Sequence, residues 1–141
     1  MLFLAQSDTT AGFLSQTPQE INHAKGREGK EVLIEVDSLD TLKNFVRIPQ
    51  RHKTLVRRAK KTTFIYPNAK ALRVVRDEKH LEFLRHFKAL YSSSANPSGE
   101  GFSLEFALQR AEIIIEDSRG FFEDTPSKIY KLNTKTLKRR R

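Results

Sequence analysis

The stretch Tyr91-Ser92-Ser93-Ser94-Ala95-Asn96-Pro97-Ser98-Gly99 separates two segments that have helical patterns. The preceding segment, 78–90, repeats apolar residues with helical period after Asp77, and the following segment begins at Ser103, a typical N-cap. Five of the nine residues are small and carry a hydroxyl or amide side chain. Such a loop brings backbone N–H groups and side-chain oxygens close to a ligand with little steric obstruction. Alone, the composition is that of an ordinary turn.

Length and composition indicate one domain with a charged surface. The chain has 141 residues, 38% of them hydrophobic, and its mean hydropathy is −0.57. The absence of cysteine excludes disulfides and thiolate chemistry. The apolar start Leu2–Ala5 has no basic segment before it and is too short for a signal peptide or a membrane span. We therefore expect no membrane association and a cytoplasmic location.

Hydrophobic periodicity and turn residues predict strands that alternate with helices. The predicted strands are 2–6, 31–36, 62–66, 71–75, 90–92 and a buried strand at 112–116, followed by a hairpin of 127–132 and 136–140 around Asn133. The predicted helices are 18–25 after a capping box of Thr17 and Glu20, 38–45 after Ser38, 50–60 with Leu55 and Val56 inward, 78–90 and 104–110, while 7–12 is predicted as a turn. The alternation predicts an α/β domain with a twisted, mixed, mostly open sheet flanked by helices. We place its boundaries at 1–132, with a basic hairpin strand and tail at 133–141.

The net charge of +9 and the pI near 10 favour anionic partners. Basic residues cluster at 51–61, at 25–30 and in the tail 138–141. The tail contains no aromatic residue, so single-strand stacking is not expected there. We predict salt-sensitive, sequence-independent RNA binding, with the tail lying apart from any small-molecule pocket. The candidate RNA-binding residues are Arg57, Arg58, Lys60, Lys61, Lys138, Arg139, Arg140 and Arg141.

Polar and basic residues also gather where predicted elements end. Lys25, Arg27 and Lys30 lie where a helix gives way to a strand, and Arg73 and the 94–98 segment lie at other element ends. Because α/β sheets bind ligands at strand ends, these positions predict a basic concave pocket lined with hydroxyls. The four histidines show no metal-ligand spacing with carboxylates, and the serines lack a paired His and Asp pattern. We assign no catalytic acid, base or nucleophile and no metal site.

Six short motifs occur in the same order as in one known family. They are Ser7-Asp8-Thr9-Thr10-Ala11-Gly12; Lys25, Arg27 and Lys30; Thr63-Phe64-Ile65-Tyr66-Pro67; Arg73 within Leu72-Arg73-Val74; Ser94-Ala95-Asn96-Pro97-Ser98-Gly99; and Pro126-Ser127-Lys128-Ile129. In this order they resemble the motifs of the threonylcarbamoyl-adenylate synthase family, also called the YrdC/YciO family. The resemblance covers roughly Leu2 to Leu132, and the chain is similar to a shortened member.

The resemblance implies an enzyme that uses ATP, L-threonine and bicarbonate and releases pyrophosphate. Its product, threonylcarbamoyl-adenylate, serves the modification of tRNA at adenosine 37, together with other proteins of that pathway. By resemblance, Ser7, Arg73 and Ser127 hold threonine and its carbamate. The nucleotide and its phosphates are held by Lys25, Arg27, Lys30, Thr63, Ser94 and Asn96. Magnesium accompanies the ATP, held mainly through phosphates and water.

A second hypothesis has the same fold without catalysis. A basic α/β protein can bind double-stranded RNA or tRNA by its phosphates, or bind nucleotide alone. One set of hydroxyl and amide side chains separates the two hypotheses: Ser7, Thr63, Ser94, Asn96 and Ser127. These side chains have no reason to converge in a protein that only follows a phosphate backbone.

Overall fold

The computed structural model describes residues 1–141, and one nine-stranded sheet with five α-helices forms its framework. The strands are β1 (Phe3–Gln6), β2 (Ala11–Ser15), β3 (Leu33–Val36), β4 (Thr62–Ile65), β5 (Ala71–Val74), β6 (Ala89–Ser94), β7 (Ile113–Ile115), β8 (Lys128–Leu132) and β9 (Leu137–Arg139). The helices are α1 (Pro18–Ala24), α2 (Leu39–Leu42), α3 (Lys53–Arg58), α4 (Glu78–Leu84) and α5 (Leu104–Arg110), with a 3-10 turn at Gln50–His52 before α3. The predicted α/β class is confirmed.

The sheet is open and mixed. Its strand order is β7-β1-β2-β6-β3-β5-β4-β8-β9. Three neighbouring pairs are parallel, β1 with β7, β3 with β5, and β4 with β8, and the others are antiparallel. The predicted C-terminal hairpin forms as β8 and β9 at one edge. No helix is long and apolar enough to cross a membrane.

Side-chain alternation along β1 shows how the two faces of the sheet are covered. Leu4 packs with Phe13 and with residues of α1 and α5, whereas Phe3 packs with Leu14 and with residues of α4. A further cluster beneath α2 and α3 extends the core across β3, β4 and β5. Helices therefore lie on both faces, and the polar ends of the central strands are left between them.

The second strand was not predicted. The turn expected at 7–12 ends at Thr10, and Ala11–Ser15 pairs with both β1 and β6. Phe13 and Leu14 point to opposite faces and both are fully buried, so β2 has no alternation of apolar and polar residues. A strand buried on both faces lacks the period-2 signal on which the prediction depends.

The helix predicted at 78–90 was too long. Asp77 caps α4 by accepting a hydrogen bond from the Lys79 amide, but the helix ends at Leu84 and Lys88 has a φ of 67°. Strand β6 runs from Ala89 to Ser94, so the strand predicted at 90–92 forms and extends to Ser94 in the serine-rich stretch. Leu90 belongs to β6 but packs in the same core cluster as Leu81 and Leu84 of α4. The apolar spacing therefore continued past the end of the helix.

Three smaller expectations were also wrong. Ile113 and Ile114 of β7 are exposed rather than buried, and Ile115 is half-buried, since β7 is an edge strand that pairs only with β1. Leu55 is 40% exposed, because α3 is short and only Val56 turns to the core. Thr17 makes no side-chain cap at α1; Glu20 instead accepts from the Thr17 hydroxyl and from the N-terminal ammonium.

Candidate functional site

A small cavity at the ends of the central strands brings together residues that are distant in sequence. Its volume is about 120 Å³. Ser7, Arg73, Ser94 and Ser127, all predicted site residues, line it together with Arg141. They come from the turn after β1, from β5 and β6, and from the segments flanking β8 and β9. The size is below the range of about 300–1,000 Å³ typical of drug-sized ligand pockets, so this cavity suits a small ligand or part of a larger one.

The register of the sheet determines the environment of Arg73. Glu35 in β3 and Thr63 in β4 are its direct cross-strand partners, so all three side chains share one face. The Arg73 guanidinium donates to Glu35 Oε1 at 2.8 Å and lies 3.2 Å from Asp8 Oδ1. His80 of α4 reaches the same carboxylate, with Nε2 3.2 Å from Glu35 Oε1. We call Asp8, Glu35, Arg73 and His80 the buried charge cluster.

Burial and charge shift the pKa values of the cluster in opposing directions. Burial would raise the pKa of Glu35, but the charges of His80 and Arg73 outweigh it and lower the value to about 2. Burial would lower the pKa of His80, and Glu35 instead raises it above 6.5. The pKa of Asp8 is raised, chiefly by burial, despite the nearby Arg73. The cluster therefore holds Glu35 as a carboxylate and favours a protonated His80.

Unpaired polar atoms are concentrated in the buried charge cluster. Both oxygens of Asp8, Nε of Arg73 and Nδ1 of His80 are buried without a hydrogen-bond partner, although Asp8 Oδ1 lies in the ion pair with Arg73, and no other buried side-chain polar atom of the chain is in that state. Each such group costs roughly 1–3 kcal/mol. Buried unpaired groups are rare in native proteins and often mark sites where a function retains them.

Hydroxyl groups at the cavity are held in place by short hydrogen bonds. Ser7 Oγ accepts from the Thr9 amide at 3.0 Å and donates to the Thr10 carbonyl at 2.8 Å. Thr63 and Ser127 hydroxyls lie 2.8 Å apart across β4 and the start of β8. The structure thus brings Thr63, predicted for the nucleotide, to Ser127, predicted for threonine.

Lys25 lies close to the 94–99 segment, but its ammonium is already occupied. Its Nζ donates to the Ser94 carbonyl at 2.6 Å and to Asn96 Oδ1 at 3.2 Å. Burial, with a smaller effect of Arg27, lowers its pKa to about 8. Asn96 uses its amide nitrogen on the Pro97 and Glu100 carbonyls. In this geometry Lys25 and Asn96 shape the loop.

Arg27 and Lys30 line a separate, larger groove of about 560 Å³ between α1 and the segment before β3. Arg27 donates to Asn22 Oδ1 at 2.8 Å and to Ser93 Oγ at 3.4 Å. Ser93 also lines the small cavity, so the contact between Arg27 and Ser93 separates the two spaces. The groove also carries the carboxylates Glu28 and Glu31, so its cations are confined to Arg27 and Lys30, next to the small hydroxyl-lined cavity. Two adjoining spaces of this kind fit a two-part ligand.

Arg141 is the residue that sequence reasoning placed elsewhere. Its Nε donates to the Ser127 carbonyl at 2.7 Å and its guanidinium reaches Ser127 Oγ at 3.1 Å. Burial, together with the charge of Arg73, lowers its pKa. The tail was expected to lie apart from the pocket. Instead β9 pairs with β8, and Arg141, which follows β9, lines the cavity. A terminal run of four basic residues gave no signal for this.

The remaining basic residues predicted for RNA lie on the surface, outside the small cavity. These exposed residues are Arg57, Arg58, Lys60, Lys61, Lys138, Arg139 and Arg140. Lys61 accepts from the Lys128 amide through its carbonyl, and the Arg140 amide donates to Ile129. The segments before β4 and after β9 therefore flank the start of β8 on its two sides.

The fold is that of a known group of solved structures. A variant of P. abyssi Sua5 with two alanine substitutions superposes with a TM-score of 0.82 and 20% identity, over 96% of this chain and 48% of that one. P. abyssi Sua5 complexed with L-threonine gives a TM-score of 0.80 at the same identity and the same coverage of both chains. E. coli YciO gives 0.77 at 13% identity, over 99% of this chain and 82% of that one. The chain has the fold of Sua5 and YciO.

This chain spans about half the length of the Sua5 chains it matches. No protein-family model matches its sequence. No curated protein is similar to it at the sequence level. The YrdC-like fold predicted from the six motifs is confirmed by these structures.

Proposed function

We propose that the chain is an L-threonylcarbamoyl-adenylate synthase acting in tRNA modification. Convergence carries the proposal: Ser7, Arg73 and Ser127, predicted from separate motifs to hold threonine, line one cavity. The fold supports it, because P. abyssi Sua5 has been solved as a complex with L-threonine. The overall reaction joins L-threonine, bicarbonate and ATP into threonylcarbamoyl-adenylate, pyrophosphate and water.

In this proposal each of the two adjoining spaces binds one reactant. The small cavity takes the threonine carbamate, and the groove beside Arg27 and Lys30 takes the nucleotide. Arg27, on the boundary, then lies where the carbamate oxygen meets the α-phosphorus. The reaction needs no covalent nucleophile from the protein, since orienting the two reactants and stabilising negative charge are the main physical devices.

Two arginines line the small cavity, and they differ in whether a carboxylate compensates their charge. Arg73 faces two buried carboxylates, Glu35 and Asp8, so most of its charge is compensated inside the protein. Arg141 has no ion-pair partner and supplies the uncompensated cation at the mouth. In this proposal Arg73, whose guanidinium is held by Glu35 and Asp8, orients the ligand. Arg141 and Arg27 attract the anionic groups of the ligand.

Magnesium fits this arrangement as a companion of the nucleotide. The chain has no group of three or more His, Cys, Asp or Glu side chains that could hold a metal ion. The small cavity is lined with hydroxyls and guanidinium groups and has no carboxylate, the side chain through which proteins usually hold magnesium. The ion supplies charge neutralisation on the phosphates, and we expect phosphate oxygens and water to hold it rather than side chains.

The proposal is tested by calorimetric titration and by pyrophosphate release. ATP should bind in the presence of magnesium, and Arg27→Ala should weaken that binding by about 1.5–3 kcal/mol, as for a hydrogen bond to a charged group. Arg58→Ala, an exposed arginine outside both spaces, is the matched control. Pyrophosphate release should require threonine and bicarbonate, with serine a modestly poorer substrate. ATP binding without any threonine-dependent pyrophosphate would exclude the enzyme and favour a binding module.

RNA binding is a second candidate function, favoured by one observation. Lys61 before β4 and Arg140 after β9 flank the start of β8 on its two sides, which places exposed positive charge along one end of the sheet. A polyanion releases counterions on binding, and each neutralised phosphate adds about −0.7 to −0.9 to the salt slope. Replacing Arg58, Lys60 and Lys61 by alanine should weaken binding of a duplex RNA and flatten that slope. An unchanged slope would remove these residues from any RNA interface.

A further inference from the structure

A second groove lies between α2 and α3, away from the candidate site. Its volume is about 460 Å³, and it shares no lining residue with the small cavity or with the groove beside α1. Its size falls in the range of about 300–1,000 Å³ in which proteins hold ligands. Neither the proposed reaction nor the predicted RNA surface uses it, apart from Arg57 at one edge.

The rim of this groove carries uncompensated positive charge. Lys43, Arg47, Lys53 and Arg57 line it, and no acidic residue does. All four are exposed, and none takes part in an ion pair of the chain. Four unpaired cations around one concave space attract an anionic partner, because nothing in the protein neutralises them.

The floor of the groove is aliphatic. Leu39, Val46 and Ile48 form it, and all three belong to or pack against the core cluster beneath α2 and α3. A phosphate backbone gains nothing from such a floor, and unpaired bases stack on aromatic rings, which the groove does not offer. An acidic peptide with aliphatic side chains matches both the rim and the floor.

We propose that the groove between α2 and α3 docks an acidic segment of a partner protein that carries aliphatic anchor residues. The anchors fill the space above Leu39 and Ile48, and the flanking carboxylates meet the four cations. A site of this size buries little surface, so the complex is transient and its association rate depends on ionic strength. The proposal does not depend on the reaction at the small cavity.

The test uses a fluorescein-labelled peptide, Asp-Glu-Leu-Leu-Glu-Ile-Asp-Glu, and the full chain. The peptide should bind with an affinity that falls with salt, and amide resonances of α2 and α3 should shift in NMR titration. A peptide with serine in place of leucine and isoleucine, and one with asparagine and glutamine in place of the acids, should each bind at least about tenfold more weakly. Equal binding of the serine peptide would overturn the proposal, because charge alone would then explain binding.

Paired charge reversals locate the site. Lys43→Glu with Arg47→Glu should abolish peptide binding, whereas Arg58→Glu with Lys61→Glu makes the same charge change outside the groove and should lower affinity only slightly. All four side chains are exposed, so both double variants should fold. Equal losses in the two variants would contradict a defined groove. A short duplex RNA that shifts the α2 and α3 resonances, where the peptide does not, would make the groove an RNA site and overturn the proposal.

Discussion

Arg73 and Glu35 are direct partners in the register of β5 and β3, and their side chains form an ion pair of 2.8 Å inside the protein. Neither side chain is more than 4% exposed. Asp8 and His80 approach the same pair from the turn after β1 and from α4. These four ionisable side chains therefore connect β3 and β5 to the turn after β1 and to α4.

Removing the charge of Glu35 should strongly destabilise the protein. Glu35→Gln leaves Arg73 buried with only Asp8, and loss of one member of a buried ion pair costs about 3–5 kcal/mol. Urea denaturation measures the free energy of unfolding. The control Glu78→Gln removes an exposed pair with Arg85 and should change it by no more than about 0.5 kcal/mol. Equal effects of the two substitutions would show that the cluster contributes no more than a surface pair.

Stability should fall as pH rises above 6.5, because His80 has a raised pKa in the folded protein. A histidine with a raised folded pKa contributes stability that is complete below its unfolded value and is lost as pH rises through the folded value. Asp8, whose pKa is also raised, acts with the same sign. Glu35 acts in the other direction: its contribution is present above pH 4.5 and is lost as pH falls towards about 2.

The measurement is the free energy of unfolding of the protein and of His80→Gln between pH 6 and 9. One proton gives a slope of at most about 1.4 kcal/mol per pH unit, and the variant should show a smaller slope whatever its absolute stability. His86→Gln, at an exposed position in the turn after α4 and outside the cluster, should keep the slope of the parent. Identical slopes in all three proteins would mean that the pKa of His80 does not change on folding.

The fold could be predicted from the sequence where local signals agree. Asp77 and Ser103 cap the helices they were expected to cap, and β8 and β9 form the expected hairpin. The strand β2 could not be predicted, because burial on both faces removes the alternation of polar and apolar residues. The edge position of β7 depends on strand order, which three isoleucines in sequence do not reveal.

The site was only partly predictable for a related reason. Ser7, Arg73 and Ser127 lie in short motifs, and their convergence follows from the motif order. Glu35 was not among the predicted site residues, although it is fully buried and contacts His80 of α4. Pairing with Arg73 and His80 compensates its burial, and both partners lie about forty residues further along the chain. Such long-range pairing leaves no local pattern in the sequence.

Lys25 should matter mainly for the order of the serine-rich loop. Its ammonium bonds the Ser94 carbonyl and Asn96, and its own carbonyl accepts from the Ser98 amide. Lys25→Met should therefore speed hydrogen exchange of the amides of Asn96, Ser98 and Gly99, because a bond to a charged group worth about 1.5–3 kcal/mol is lost. Lys30→Met, whose ammonium makes no such bond, is the control. Unchanged exchange combined with weaker ATP binding would show that Lys25 contacts phosphate directly.

Arg141 should contribute to ligand binding even though it lies in the basic tail. Its guanidinium is anchored to Ser127 at the mouth of the small cavity, where the charge of Arg73 is already compensated by Glu35 and Asp8. Arg141→Gln should weaken binding of ATP or of threonine by about 1.5–3 kcal/mol, the loss of a charged hydrogen bond, and Arg141→Lys should restore part of it. Calorimetric titration with each ligand separates the two cases. Arg140→Gln, whose side chain makes no contact with the cavity, should bind both ligands normally. If both substitutions leave both affinities unchanged, the tail is separate from the site, as its sequence first indicated.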